Sequence, residues 1–107
     1  MSALNIAVEN PSADLTIWRL SGEFEGMSAL DAKDKLLGCA KTQAKPNLMI
    51  DLAEVQYIDS AAIGILLEIA RQLQAKKIKL SLIHVAEPIR KVLVITKVDK
   101  ILTVHDV

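Results

Sequence analysis

The chain has few aromatic residues, cysteines and glycines, and it has no excess of charge of either sign. Its 107 residues include three aromatic residues, one cysteine and four glycines, and thirteen Lys and Arg balance thirteen Asp and Glu. So few aromatic side chains argue against a stacking platform for single-stranded nucleic acid. A balanced charge gives no overall attraction to nucleic acid or anionic lipid. We therefore expect no nucleic-acid partner and no direct insertion into a membrane.

The single cysteine and the N-terminal segment exclude further classes. Cys39 has no second cysteine to pair with, which excludes an internal disulfide and a cysteine metal site, and its apolar neighbours predict a small core residue. The first ten residues lack the basic and apolar runs of a signal peptide. The longest apolar run, residues 61–67, is too short to span a bilayer. We expect a cytoplasmic protein.

The pattern of apolar and turn residues predicts the element order β-β-α-β-α-β-α-β. Strands at 5–8 and 15–21 flank a turn-forming segment at 9–14, which predicts an antiparallel hairpin at one edge of the sheet. The later strands, at 48–52, 79–84 and 101–104, alternate with helices and should pair in parallel. The prediction is one α/β domain over residues 1–107, with a mixed sheet of about five strands.

The first two predicted helices each have one apolar face. Ser28 and Asp31 have the spacing of a capping box, which predicts that the first helix begins at Ser28. Its buried face should comprise Ala29, Ala32, Leu36, Cys39 and Ala40. The second helix, residues 61–76, should turn one set of residues toward the sheet: Ala62, Ile65, Leu66, Ile69 and Leu73. A further set should face water: Glu68, Arg71, Gln72 and Ala75.

Ser60 lies just before the second helix, beside more apolar residues than one buried face requires. Ile63 and Leu67 widen the apolar arc, and Gly64 adds a small residue next to the hydroxyl. Apolar surface of this kind is typical of a docking site for another protein. It would serve a homodimer as well as a different partner.

Residues 51–65, DLAEVQYIDSAAIGI, carry a recognisable pattern. An aliphatic strand is followed by the pair Asp59-Ser60, two small residues, an aliphatic residue and Gly64 at the head of a helix. This pattern resembles the signature of the STAS family, which includes bacterial anti-sigma factor antagonists. Residues 20–25, 88–93 and 98–101 are similar to other family segments. Four positions depart from the usual pattern: Glu25 replaces an Asp, Ala61 and Ala62 replace Ser or Thr and Gly, and Lys97 replaces a frequent Gly.

The resemblance implies a switch that acts in signal transduction and the regulation of transcription. Ser60 would be phosphorylated by an anti-sigma factor with serine kinase activity and dephosphorylated by a metal-dependent serine phosphatase. The unphosphorylated protein would bind the kinase and the phosphorylated protein would release it. The expected partner-binding residues are Glu25, Asp59, Ser60, Ala61, Ile63, Gly64 and Leu67. Neither a cofactor nor a metal is expected.

Other interpretations stay open at this point. Asp59 or Ser60 is a good N-cap residue, so the pair could serve only to begin a helix. A small STAS protein can also be the accessory subunit of a lipid-transporting ABC permease, or a nucleotide-sensing module, although the four glycines match neither phosphate-binding motif.

Neither His84 nor His105 lies in a catalytic-triad context, so we expect no enzyme. Five acidic residues match no metal-ligand spacing and are expected to be solvated: Glu23, Glu25, Asp51, Glu54 and Asp59.

Overall fold

The computed structural model describes residues 3–105 and confirms the predicted order of strands and helices, with one short 3₁₀ turn added. No helix within these residues is both long and apolar enough to cross a membrane. The elements are β1 (Asn5–Ser12), β2 (Leu15–Ser21), α1 (Gly26–Thr42), β3 (Asn47–Glu54), α2 (Ser60–Ala75), β4 (Lys79–Ile83), α3 (Glu87–Ile95), a 3₁₀ turn (Val98–Lys100) and β5 (Thr103–Val104).

The five strands form one mixed sheet in the order β1-β2-β3-β4-β5. β1 pairs antiparallel to β2, and the three later pairings are all parallel, as predicted. The parallel strands therefore end at a common edge, at Ser21, Glu54 and Ile83. The loops that leave this carboxyl edge lead into α1, α2 and α3.

One face of the sheet is covered by helices and holds the core. Trp18 pairs with Ile50, and Ile50 pairs with Leu82, and all three side chains are at most 1% exposed. Helices α1 and α2 contact one another and contribute their buried residues to the same cluster. The residues predicted for the sheet-facing side of α2 are all buried: Ala62, Ile65, Leu66, Ile69 and Leu73.

The structure corrects several predicted boundaries. β1 continues to Ser12 through the segment predicted as a turn, because Pro11 lies in an edge strand where a missing N–H is tolerated. The register shift between Glu9 and Ser12 accommodates it. Helix α1 begins at Gly26, before the predicted start at Ser28, and its N-cap is Glu25. β5 is shorter than predicted because the N–H groups of Ile101 and Leu102 donate to the Val98 carbonyl oxygen, so these two residues belong to the turn after the 3₁₀ segment.

Candidate functional site

The loops that follow β2 and β3 are held together at the carboxyl edge of the sheet. The Gly22 N–H donates to the Glu54 carbonyl oxygen at 3.3 Å, and Phe24 and Ile58 form a parallel bridge. Gly22 has φ +110°, and a Cβ there would lie 2.1 Å from the Ala3 carbonyl oxygen. This position therefore requires glycine, and the tight turn brings the starts of α1 and α2 together.

Asp59 caps both of these helices with one carboxylate. Its Oδ1 accepts a hydrogen bond from the Ala62 N–H at 3.1 Å, in the first turn of α2. Its Oδ2 accepts from the Gly26 N–H at 2.8 Å, at the first residue of α1. The side chain of Glu25, which occupies the N-cap position of α1, makes no capping hydrogen bond. The cap of α1 is therefore supplied from a residue 33 positions away in the sequence.

These N–H donors also set the ionisation of Asp59. Partial burial would raise the pKa of the carboxyl group, but hydrogen bonds from the backbone of Gly26, Ala62 and Ala61 outweigh burial and lower it below its ordinary value. Asp59 is therefore ionised at neutral pH. Its negative charge lies where two helix N-termini point at it, which is a favourable position for an anion.

Ser60 is exposed at the first residue of α2, and its hydroxyl does not cap the helix. Within residues 3–105 the structure gives its Oγ no hydrogen-bond partner. From the sequence, either Asp59 or Ser60 could cap the helix. The structure assigns the cap to Asp59 alone. Asp59 fixes the backbone, and Ser60 presents a free hydroxyl beside that fixed point.

The neighbours of Ser60 on α2 differ in exposure. Gly64, one turn further along, is exposed, whereas Ala61 and Leu67 are partly buried. Ile63 is only 8% exposed, so the expectation that its side chain adds free apolar surface beside Ser60 is wrong. The apolar arc of α2 is wide because this helix packs against α1 as well as against the sheet.

Exposed apolar surface at this edge comes instead from residues that the sequence analysis did not select. Met27 and Leu30 of α1 are 65% and 50% exposed, and Tyr57, in the loop before α2, is 50% exposed. Met27 follows Gly26, whose N–H donates to Asp59, and Tyr57 lies two residues before Asp59 in the chain. Leu30 is about one turn further along α1. The sequence signal for Leu30 is that it lies off the predicted buried face of the first helix, whereas Met27 precedes the predicted start of that helix at Ser28.

Glu25 lines an open, acidic recess next to this apolar surface. The recess has a volume of about 350 Å³ and is lined by Gly22, Glu23, Glu25, Glu54, Gln56 and Tyr57. Residues 20–32 and 52–70, which form the surrounding segments, contain no Lys or Arg. Across the described part of the chain, no group of three or more His, Cys, Asp and Glu is placed to hold a metal ion.

Asp51 is not one of the solvated carboxylates, contrary to expectation. It is 4% exposed on the sheet face opposite the helices, where it pairs with Arg19 and lies 2.9 Å from His84 Nδ1. Burial would raise its pKa, but the Ala53 N–H, His84 and Arg19 together lower it. Asp51 thus links neighbouring strands and takes no part in the Ser60 site.

Comparison with known proteins assigns the family. The family model of the STAS domain matches residues 5–107, so the chain belongs to the STAS domain family. The fold is similar to that of an anti-sigma factor antagonist from Mycobacterium paratuberculosis, with 22% identity, a TM-score of 0.83, and coverage of 98% of this chain and 87% of that one.

The fold is also similar to that of SpoIIAA, an anti-sigma factor antagonist and Bacillus cell fate determinant, in two states. The unphosphorylated form matches with 18% identity and a TM-score of 0.71, covering 96% of this chain and 89% of that one. The phosphorylated form matches with 18% identity and a TM-score of 0.69, covering 94% and 91%. Identities this low establish a common fold and leave function to be argued from the site.

Replacing the double cap should destabilise the domain more than replacing an ordinary cap residue. We expect Asp59→Ala to lower the free energy of unfolding by about 1 to 3 kcal/mol, because the first turns of α1 and α2 each lose an acceptor. Glu25→Ala, at the N-cap position without a side-chain bond, should change it by less than about 0.5 kcal/mol. Urea denaturation measures both, and equal effects would contradict the double cap.

The contribution of Asp59 should also depend on pH. Its pKa is lower in the folded than in the unfolded protein, so its stabilisation is fully present above the ordinary Asp value of about 3.9 and is lost as the pH falls through the folded value. The difference in unfolding free energy between wild type and Asp59→Ala should be constant near neutral pH and shrink below about pH 4. A difference that stays unchanged to about pH 3 would contradict the assignment.

Proposed function

We propose that the protein is an anti-sigma factor antagonist controlled by phosphorylation of Ser60. Unphosphorylated, it binds an anti-sigma factor that is also a serine kinase, and phosphorylation of Ser60 by that kinase releases it. A metal-dependent serine phosphatase resets the switch. The observation that carries the proposal is the free, exposed hydroxyl of Ser60 beside a helix cap that is made entirely by Asp59.

A phosphate at this position changes the surface and leaves the fold intact. It adds about −1.5 to −2 charges and three acceptor oxygens at the N-terminus of α2, where the helix dipole favours an anion. Because Ser60 Oγ makes no contact that holds the helix, its modification breaks none. The fold's similarity to SpoIIAA in both its unphosphorylated and phosphorylated forms supports a switch without refolding.

Release then follows from the cost of burying the new charge. The proposed docking surface comprises Ser60, Gly64, Leu67, Met27, Leu30 and Tyr57, with Glu25 at its acidic margin. A partner that covers this surface accommodates a small hydroxyl. Once it is phosphorylated, the same contact would bury a dianion close to Asp59 and Glu25, and an unpaired buried charge costs several kcal/mol as an order of magnitude.

Gly64 supports a close approach by a partner. It lies exposed in the interior of α2, where glycine costs about 0.5 to 1 kcal/mol relative to alanine. Nothing in the domain requires a glycine there, because an added Cβ would meet no atom within 4 Å. A partner backbone or side chain packed against this point of α2 would give the small residue a role.

The first test uses variants of Ser60 with the host's anti-sigma factor/serine kinase. Ser60→Ala should bind the kinase and take up no phosphate, whereas Ser60→Glu should bind at least about tenfold more weakly because it carries a charge into the interface. Ser12→Glu adds the same charge at the opposite edge of the sheet and should bind as wild type does. Calorimetry measures affinity, and intact mass locates the phosphate.

Two outcomes would overturn the switch. One is that Ser60→Glu binds as tightly as wild type, and the other is that the kinase phosphorylates Ser60→Ala as fully as wild type. The accessory-subunit alternative predicts constitutive binding to the ATPase of a lipid-transporting ABC permease, and that binding would be indifferent to every Ser60 variant. Circular dichroism on each variant separates loss of binding from loss of fold.

A second test separates stability from binding at Gly64. Gly64→Ala should raise the free energy of unfolding by about 0.5 to 1 kcal/mol and still weaken kinase binding, because the added methyl group enters the interface. Gly38→Ala, an exposed glycine in the interior of α1 with equally open surroundings, should give the same gain in stability and leave binding unchanged. Equal binding by both variants would remove Gly64 from the docking surface.

A further inference from the structure

The fold separates the balanced charges of the chain into two ends. At the carboxyl edge of the sheet lie Glu23, Glu25, Glu54, Asp59 and Glu87. The opposite edge, where α1, α2 and α3 end and β3 and β4 begin, carries seven lysines: Lys41, Lys45, Lys76, Lys77, Lys79, Lys97 and Lys100. On the same segments the acidic residues are Asp14 and Asp99. A net charge of zero therefore conceals a strongly basic end.

Two of these lysines donate side-chain hydrogen bonds to backbone carbonyl oxygens, and the others do not. Lys76 Nζ donates to the carbonyl oxygens of Ala40 and Gln43 and so caps the C-terminus of α1, and Lys45 Nζ donates to the Ser12 carbonyl oxygen at 2.7 Å. Within residues 3–105, five exposed lysines at this end have no hydrogen-bond or ion-pair partner for their side chains: Lys41, Lys77, Lys79, Lys97 and Lys100. Their positive charge is available to a ligand.

Exposed aliphatic side chains lie among these lysines. Ile95, the last residue of α3, is 78% exposed, and Ile101, just after the 3₁₀ turn, is 58% exposed. Ile101 shares an open recess of about 410 Å³ with Lys77 and Lys79. Between the two isoleucines, Lys97 is the N-cap of the 3₁₀ turn and Lys100 is its last residue, and the Lys100 N–H donates to the Lys97 carbonyl oxygen at 3.1 Å.

We propose that this basic end binds the surface of an anionic lipid bilayer. The unpaired lysines attract acidic head groups, and Ile95 and Ile101, which are 78% and 58% exposed, can enter the boundary between head groups and acyl chains. The expectation from composition, that balanced charge gives no attraction to anionic lipid, treats the charges as evenly spread. The fold does not spread them evenly.

The composition of this end favours lipid over protein or nucleic acid. Protein interfaces are depleted in lysine and rely on Trp, Tyr and Arg, but the only tryptophan of the chain, Trp18, is buried, and the seven cations here are all lysine. Highly exposed isoleucines gain nothing from a phosphate backbone in water, which argues against nucleic acid. Lysines around protruding aliphatic residues are typical of a peripheral membrane contact.

The arrangement leaves the Ser60 site accessible. Strands β2, β3 and β4 run from the basic end to the carboxyl edge, so a bilayer at one end faces away from Ser60 at the other. Membrane contact and the proposed antagonist role are therefore independent. Ser60→Glu should leave vesicle binding unchanged, which keeps a failure of one proposal distinct from a failure of the other.

Vesicle co-sedimentation tests the proposal. The full chain should bind vesicles that contain phosphatidylglycerol and not vesicles of pure phosphatidylcholine, and added salt should weaken binding. Lys97→Gln with Lys100→Gln should reduce affinity by about 25-fold, at about fivefold per lysine, and Ile95→Ser by at least about tenfold. Lys33→Gln with Lys35→Gln removes the same charge from the exposed side of α1 and should have no effect.

Three results would overturn the lipid assignment. They are no binding of wild type to phosphatidylglycerol vesicles at low salt, equal losses in the two lysine pairs, and binding of duplex DNA as tight as that of vesicles. Equal losses in the two lysine pairs would indicate that binding responds to net charge alone. Tight binding of duplex DNA would indicate a general attraction to polyanions. Circular dichroism of every variant confirms that each loss occurs in a folded protein.

Discussion

The Asp59 carboxylate accepts one hydrogen bond from the first residue of α1 and another from the first turn of α2. Through these two bonds a single side chain holds together the loops that leave β2 and β3. The Gly22 turn and the bridge between Phe24 and Ile58 place the backbone so that the carboxylate can reach both helices. Because Asp59 makes the cap, the Ser60 hydroxyl holds no helix end in place, and the proposed switch depends on this separation.

The opposite charges of the two ends of the domain follow from the direction in which the strands and helices run. Helix N-termini at the carboxyl edge favour Asp59 and tolerate a phosphate, and helix C-termini at the other edge favour lysines such as Lys76. The dipoles of α1 and α2 therefore reinforce the separation of side-chain charge. An acidic, partly apolar surface around Ser60 and a basic, partly apolar surface around Ile95 give one small domain two chemically different ends. We propose that the first binds a partner protein and the second a lipid surface.

Local patterns in the sequence were sufficient for the order of elements, the edge hairpin, the parallel strands and the sheet-facing side of α2. The errors arose where a distant residue decides the local structure. The start of α1 depends on Asp59, which no local capping rule includes, and Ile63 is buried in the core cluster to which α1 and α2 both contribute. Asp51 is buried by its pairing with Arg19 and His84 across the sheet. The motif was sufficient to select Ser60, but only the three-dimensional structure shows that Asp59, and not Ser60, caps the helix.

Amide hydrogen exchange in the unmodified and the Ser60-phosphorylated protein would test the central claim most directly. The N–H groups of Gly26 and Ala62 donate hydrogen bonds to the Asp59 carboxylate, so their exchange rates report whether the double cap survives modification. If Asp59 alone holds the helix ends, both amides should keep their protection after phosphorylation while binding to the serine kinase is lost. Loss of protection at either amide would show that the phosphate displaces the Asp59 cap and that the switch works by refolding the site.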